Sequence, residues 1–263
     1  MNLRAAVFLL VVALAAWPAI NEASAVRVTT VLEEMDKSWQ TIDDFSAVLL
    51  QQQTLTVDGT PRFFAGYARI VKPRAFRIDS REVGLRAYYD ALDALEPSGV
   101  IGGASDEIVW YDGDRSHHWY RYRPAEAVVY REATPTSPIY VMLGALAGIS
   151  ATTAMELQEN FNIDAPKTVR MLEQDCYLMR LEPRRGRSAD FKYIDFWVDR
   201  KYYLPVRVKM KQDTAEVETY VLDPLLNRQL SARDIELRVP RGVVVREREA
   251  LLGDGTAGRE ANQ

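Results

Sequence analysis

FSAVLLQQQTLTVDGTPRFFAGYARIV, residues 45–71, is the stretch on which the fold turns. Phe45, Ala47, Leu49, Gln51, Gln53 and Leu55 alternate with a second set of side chains. That period of two belongs to a long strand. Asp58-Gly59 is a hairpin turn signal, and RFFAGYARIV returns as the next strand. Lys72-Pro73 breaks it, and AFRID resumes extended structure.

Upstream the period changes. Val28, Val31, Leu32, Met35, Trp39 and Ile42 recur at spacings of three and four, which predicts a helix over 30–42. Thr30 and Glu33 suit a capping box at its start. Downstream, EIVWY, a turn at Asp112-Gly113, HHWYRYR and AVVYRE continue the strands. Between Ala133 and Asn160 the pattern is helical again. Ser137-Pro138 pairs an N-cap with a first-turn proline and leads into IYVMLGAL. Thr153 with Glu156 is a second capping box, opening AMELQEN. KTVRML, CYLMRLEP, YIDFWVD, LPVRVKM, EVETYVL and ARDIELRV then read as strands.

Strands joined by short turns form an antiparallel sheet, and about ten or eleven of them curl strongly or close. Two or three helices can cover one face of such a sheet, not both. The expected fold is therefore mostly β: a curved antiparallel half-barrel with an N-terminal helix and lid helices over a concave apolar face. The natural product is an apolar cavity. Residues 82–105 do not fit the meander; within them RAYYDALDAL reads as a short helix followed by a Gly-rich connection. Residues 26–251 are expected to form one domain, and the Gly-, Ala- and polar-rich residues 252–263 a disordered tail.

The first 25 residues carry Arg4, an apolar run from Ala5 to Trp17 and the small-residue site Ala23-Ser24-Ala25. They read as a cleaved signal peptide, with an uncleaved N-terminal anchor as the alternative. A periplasmic protein is the expectation. The composition is globular, 48% hydrophobic and 27% charged, with a net charge of −4. That balance gives no electrostatic reason to bind nucleic acid or anionic lipid surfaces. Cys176 is the one cysteine. It lies in the apolar run DCYLMRL and reads as a buried small hydrophobe.

Enzymatic tools are scarce. His117 and His118 are the only histidines, and adjacent strand residues face opposite sides, which does not suit a shared metal. There is no G-x-S-x-G, S-x-x-K or H-E-x-x-H motif, and neither Gly66 nor Gly102-Gly103 forms a phosphate loop. The paired carboxylates Glu33-Glu34 and Asp43-Asp44 read as surface charge; a hydrolase acting on an envelope polymer is the alternative they leave open. A binding protein without catalytic residues, metal or cofactor is the reading favoured.

FSAVLLQ resembles the F-x-A-x-F-x-Q strand of LolA-type outer-membrane lipoprotein carriers. Phe45, Ala47 and Gln51 match it, and Leu49 replaces an aromatic. GYARIVKPRAF, residues 66–76, is similar to that family's Gly, strand, Arg/Lys-Pro, Phe segment without a gap. Asp112-Gly113 with HHWYRYRP resembles its DG turn and aromatic strand, and SPIYVMLGAL its proline-led lid helix. LPVRVKM and LRVPRGVVV, with Leu237, Pro240 and Gly242, resemble the closing strands. The likeness runs through most of the mature chain in the same order.

The resemblance implies a half-barrel whose concave face holds acyl chains of a lipoprotein or lipid. An inner-membrane transporter would supply the cargo and an outer-membrane acceptor would receive it. An envelope sensor or adaptor that binds a protein partner is the alternative within the same superfamily. Lys72 occupies the position of the family's lid-latching arginine; without the guanidinium fork a looser latch is expected. The 82–105 insertion and the absence of a lipid-attachment cysteine are departures from the carrier and the anchored acceptor respectively. By alternation, Leu49, Leu55, Phe64, Phe76, Ile78, Trp110 and Tyr120 face one side of the strands. Ile139, Met142, Leu143 and Leu146 add the lid's apolar side. These residues either line an acyl cavity or pack on one another as core. A monomer is expected.

Overall fold

The structure, a computed structural model, describes residues 26–72, 75–94, 105–111, 115–120, 126–131, 154–185, 191–237 and 241–249. Helix α1 (Val28–Gln40) leads into a meander of β1 (Asp44–Leu55), β2 (Pro61–Val71), β3 (Ala75–Val83), β4 (Glu107–Tyr111), β5 (Arg115–Tyr120) and β6 (Glu126–Arg131). Helix α2 (Leu85–Ala94) sits between β3 and β4. Helix α3 (Ala154–Asn160) precedes β7 (Phe161–Ile163) and β8 (Lys167–Met171). A second meander follows: β9 (Gln174–Pro183), β10 (Tyr193–Asp199), β11 (Pro205–Lys211) and β12 (Ala215–Leu226). The described chain ends with α4 (Ala232–Ile235) and β13 (Val244–Glu249).

All thirteen strands share one curved open sheet, in the order β13-β6-β5-β4-β3-β2-β1-β12-β11-β10-β9-β7, with β8 also on β9. The two meanders meet at the β1–β12 pairing, where the register shifts between Ser46 and Val48. Every pairing is antiparallel except β13 on β6. The strand-rich half-barrel expected from the sequence is the architecture found.

The register assigns each side chain to a face. One face, the inner, gathers Phe45, Ala47 and Leu49 of β1 with Phe76 and Ile78 of β3. Met179, Ile194, Val208 and Val221 bring in the second meander. Helix α1 lies on this face through Val28, Val31, Leu32, Met35 and Trp39, and α3 through Leu157. The predicted helical stripe is therefore the buried one. The expected capping box is not found: the helix begins two residues earlier, with Arg27 as N-cap and no side-chain cap, so Thr30 sits exposed inside it. Val28 packing onto the inner cluster draws the helix start upstream.

The outer face is built differently. Under α2, Tyr88 and Ala91 pack on Val48, Leu50, Phe63, Ala65 and Leu222, with the Phe63 and Tyr88 rings 4.9 Å apart. RAYYDALDAL is thus the helix its pattern suggests, and it covers the face that the lid architecture leaves bare. Farther along, β9–β12 carry a ladder of charges on aromatics. Arg180 holds Asp195 through two hydrogen bonds of 2.7 and 2.8 Å. Arg207 pairs with Glu218 at 2.6 Å while stacking on Trp197 and Tyr220.

Further details differ from the expectation. Asp44, expected as surface charge, is buried, because its carboxylate accepts the Arg228 and Leu230 N–H groups at 2.8 and 3.2 Å. Among the described residues the sheet has thirteen strands, against the ten or eleven expected. ARDIELRV is not a strand; its first four residues form α4, because Asp234 accepts the Ser231 N–H and hydroxyl at 2.8 and 2.7 Å and closes a helical turn. Finally, VVRERE forms the parallel edge strand β13.

Candidate functional site

The inner face is floored by side chains that β1–β4 and β9–β12 project toward α1 and α3. Leu49, Phe76 and Ile78, three residues expected on this face, are there and fully buried. They form the floor rather than an exposed lining. Around them lies a rim of half-buried apolar side chains: Tyr111, Leu157, Phe161, Ile163, Phe191 and Leu226. Phe76 stacks on Tyr111 with centroids 5.4 Å apart, and Phe161 on Phe191 at 5.7 Å. Sequence alternation missed Phe161 and Phe191 because β7 is three residues long and Phe191 lies just before β10.

Across β1–β5 the inner face changes from apolar to polar in rows. Ile70, Phe76 and Tyr111 are in register beside Phe45 and α1. Next come Ala68, Ile78, Val109 and His118, then Gly66, Ser80, Glu107 and Tyr120. Phe64 stands farther out, opposite Gln51 and Glu82. It is half-buried beneath the Arg62 guanidinium, 5.2 Å from its ring centroid, and Arg62 is itself held by Glu82 at 2.6 Å. At Gly66 a Cβ would stand 2.9 Å from the Asp79 carbonyl oxygen, so only glycine permits this close approach of β2 and β3.

Tyr120 belongs to a small polar cluster. Its hydroxyl lies 3.5 Å from His118 Nδ1, and Glu107 Oε1 is 4.0 Å from the same nitrogen. Burial pushes the His118 pKa down to about 4, with the neighbouring His117 adding to the shift. Burial also raises the Glu107 carboxyl, against a hydrogen bond from Tyr120 that lowers it. The two histidines do face opposite ways, and among the described residues no group of His, Cys, Asp and Glu is placed to hold a metal.

Trp110 is a correction. It pairs with Arg77 and His117 on the outer face, stacked on the His117 ring at 4.4 Å. Alternation continues across residues 82–105 only if that connection keeps the strand parity, and its length sets β4 to the opposite parity. Lys72 ties down α1: its ammonium donates to the Trp39 carbonyl at the helix end and stands 5.2 Å over the Trp39 ring. Burial lowers its pKa, opposed by Asp43. Ile139, Met142, Leu143 and Leu146 lie outside the described residues, as do residues 1–25 and the tail from 250. Cys176 is fully buried, its thiol pushed up to about 11 mainly by burial, which fits the small-hydrophobe reading.

No helix of the described residues is long and apolar enough to cross a membrane. No protein-family model and no curated protein sequence matches the chain. Solved structures resemble its fold. An uncharacterized conserved protein of Thermus thermophilus aligns at a TM-score of 0.49 and 10% identity, over 83% of this chain and 98% of that one. A LolA superfamily protein of Nitrosomonas europaea aligns at 0.36 and 10%, over 81% and 99%. The complex of MucA and MucB from Pseudomonas aeruginosa gives 0.44 and 10%, over 80% of this chain and 61% of that one.

Proposed function

We propose that the protein is a non-enzymatic periplasmic binding protein that holds acyl chains of a lipoprotein or lipid against its inner face and carries them between membranes. The observation that carries this reading is the half-buried apolar rim around the buried floor of Leu49, Phe76 and Ile78. Tyr111, Phe161, Phe191 and Leu157 already contact the floor while keeping part of their surface accessible. An acyl chain laid over them gains about 0.8 kcal/mol per buried CH₂. The motif resemblance to lipoprotein carriers points the same way.

In this reading the floor is reached when the helices over it withdraw. Helix α1 is fixed at its C-terminal end by Lys72 on the Trp39 carbonyl and by Ser38 on the Tyr202 carbonyl. The seven-residue α3, which rests on the rim through Leu157, is the part that moves. Residues 26–251 act as one unit, with residues 1–25 removed on export.

The test is mass spectrometry of the protein purified from its native envelope without detergent. Co-purified lipid or acylated protein is expected. A second reading, an adaptor that binds a protein partner, draws on the floor being closed by the chain's own side chains. A preparation free of acyl chains yet bound to one stoichiometric partner would select it over the carrier.

A further inference from the structure

At the polar end of the inner face the fold leaves a carboxylate without a counter-charge. Glu107 opens β4, four residues before the rim aromatic Tyr111 and on the same face, about 13 Å away along the strand. Between them lies Val109, which is buried, with His118 as its partner on β5. Tyr120 is the partner of Glu107 itself, and Ser80 flanks it on β3. Rim, floor and polar end succeed one another along a single strand, in the order in which an amphiphile laid on this face would meet them.

The Glu107 side chain keeps 40% of its surface accessible, against 15% for His118. Its near neighbours are neutral. Tyr120 gives it a hydrogen bond. The His118 Nδ1, 4.0 Å away, carries no charge at neutral pH, because burial holds the pKa of that histidine down at about 4. The charges farther out do not relieve the carboxylate. Asp106 is the adjoining residue, and its side chain accepts the Glu82 N–H at 3.1 Å. Arg62 is engaged by Glu82 at 2.6 Å. Arg69 and Arg77 stand on the outer face with Asp79 between them, and Arg81, in register with Ala65, is on that face as well. Among the described residues, no lysine or arginine forms an ion pair with Glu107 or Asp106. A carboxylate drawn partly out of water is ordinarily matched by a cation or by several hydrogen bonds, and burial raises the Glu107 carboxyl accordingly.

We infer that Glu107 is a head-group site for a cationic amphiphile: the apolar chain lies over the rim at Tyr111, and a protonated amine at its end donates to the Glu107 carboxylate and to the Tyr120 hydroxyl oxygen. This rests on the acyl-binding reading and narrows its ligand to acyl compounds that bear a free amine. An ammonium has three donors and no acceptor, which suits a carboxylate beside a hydroxyl. A hydrogen bond between two ionised groups is about twice as strong as its neutral counterpart. His118 does not oppose the cation while it is uncharged.

The test is isothermal titration calorimetry of the purified, lipid-free protein at neutral pH with decylammonium, with decanoate and, as charge without a chain, with ethylammonium. Decylammonium should bind about tenfold more tightly than decanoate, and ethylammonium far more weakly, since it gains nothing from the rim. Glu107→Gln, a change of nearly equal shape, should weaken decylammonium by about tenfold and leave decanoate no weaker. Glu107→Asp, which keeps the charge on a shorter arm, should hold decylammonium more tightly than Glu107→Gln does. Glu33→Gln, at an exposed acid on α1, should change nothing, which separates the site from the general attraction of a chain with net charge −4. Equal affinities for the two amphiphiles, or a Glu107→Gln protein that keeps its decylammonium affinity, would overturn the head-group site and leave the acyl reading standing. Failure of both amphiphiles to bind would overturn the acyl reading and this inference with it.

Discussion

Gly66 shows how much one position can fix. An alanine there meets the Asp79 carbonyl oxygen at 2.9 Å, and that atom is backbone, so β2 or β3 must shift. Gly66→Ala is expected to cost about 1–3 kcal/mol, read as a lower midpoint in urea; an unchanged midpoint would mean the strands separate freely. His118 sets a pH dependence. Its pKa in the fold is near 4 against 6.5 for the free side chain. Between those values the unfolded chain binds the proton and the fold does not, so stability is complete above about 6.5 and falls as pH drops toward 4. The loss is at most on the order of 3 kcal/mol. Glu107, 4.0 Å away and raised, works in the opposite sense, because acid relieves its burial. His118→Gln should therefore flatten the fall in melting temperature between pH 6.5 and 4.5. An identical profile in wild type and variant would remove His118 as its source. None of this was legible from the doublet His117-His118, whose alternation told only that they part ways.

At the scale of elements, α2 offers a clean experiment. Tyr88 is buried against Phe63, yet its hydroxyl has no hydrogen-bond partner and its pKa is raised, chiefly by burial. Tyr88→Phe keeps the ring and removes the orphan, so it should stabilise by about 1 kcal/mol. Tyr88→Ala should cost about 3–5 kcal/mol through the cavity it leaves. If thermal melts show Tyr88→Phe to be the more damaging of the two, the hydroxyl has a partner after all. Elements also mark where sequence reasoning works. Stripes and tight turns were legible, as in α1, α2 and the Asp58-Gly59 hairpin, where Gly59 takes φ of 67° and Asp58 receives the Thr60 N–H. These signals are local. The side of the sheet for Trp110 depends on a connection, and the alternation of ARDIELRV suggests a strand where the Ser231–Asp234 capping box makes a helical turn. The acyl floor was legible at Leu49, Phe76 and Ile78, whereas Phe161 and Phe191 needed tertiary packing to declare themselves.

At the scale of the molecule, the first meander is clasped by the second half of the chain. β12 lies along its β1 edge and β13 along its β6 edge, while α4 rests on the outer face at β2 and β3. A chain cut between residues 131 and 154 should thus leave two pieces that co-elute on size exclusion, joined by the β1–β12 and β6–β13 ladders and the inner cluster. Pieces that separate without denaturant would show that the clasp is weak. Cys176, fully buried, reports on the same cohesion: its labelling by a thiol reagent should stay slow until the β8–β9 region opens. The clasp has a consequence in time as well. Wherever the chain emerges N-terminus first, β1–β6 appear before β12 and β13, the strands that cap their outer margins. At roughly 5–20 residues per second, the rest of the chain takes about ten seconds to follow. Until those strands arrive, the first half is a sheet with two open edges, so a chain halted at that stage is exposed to self-association.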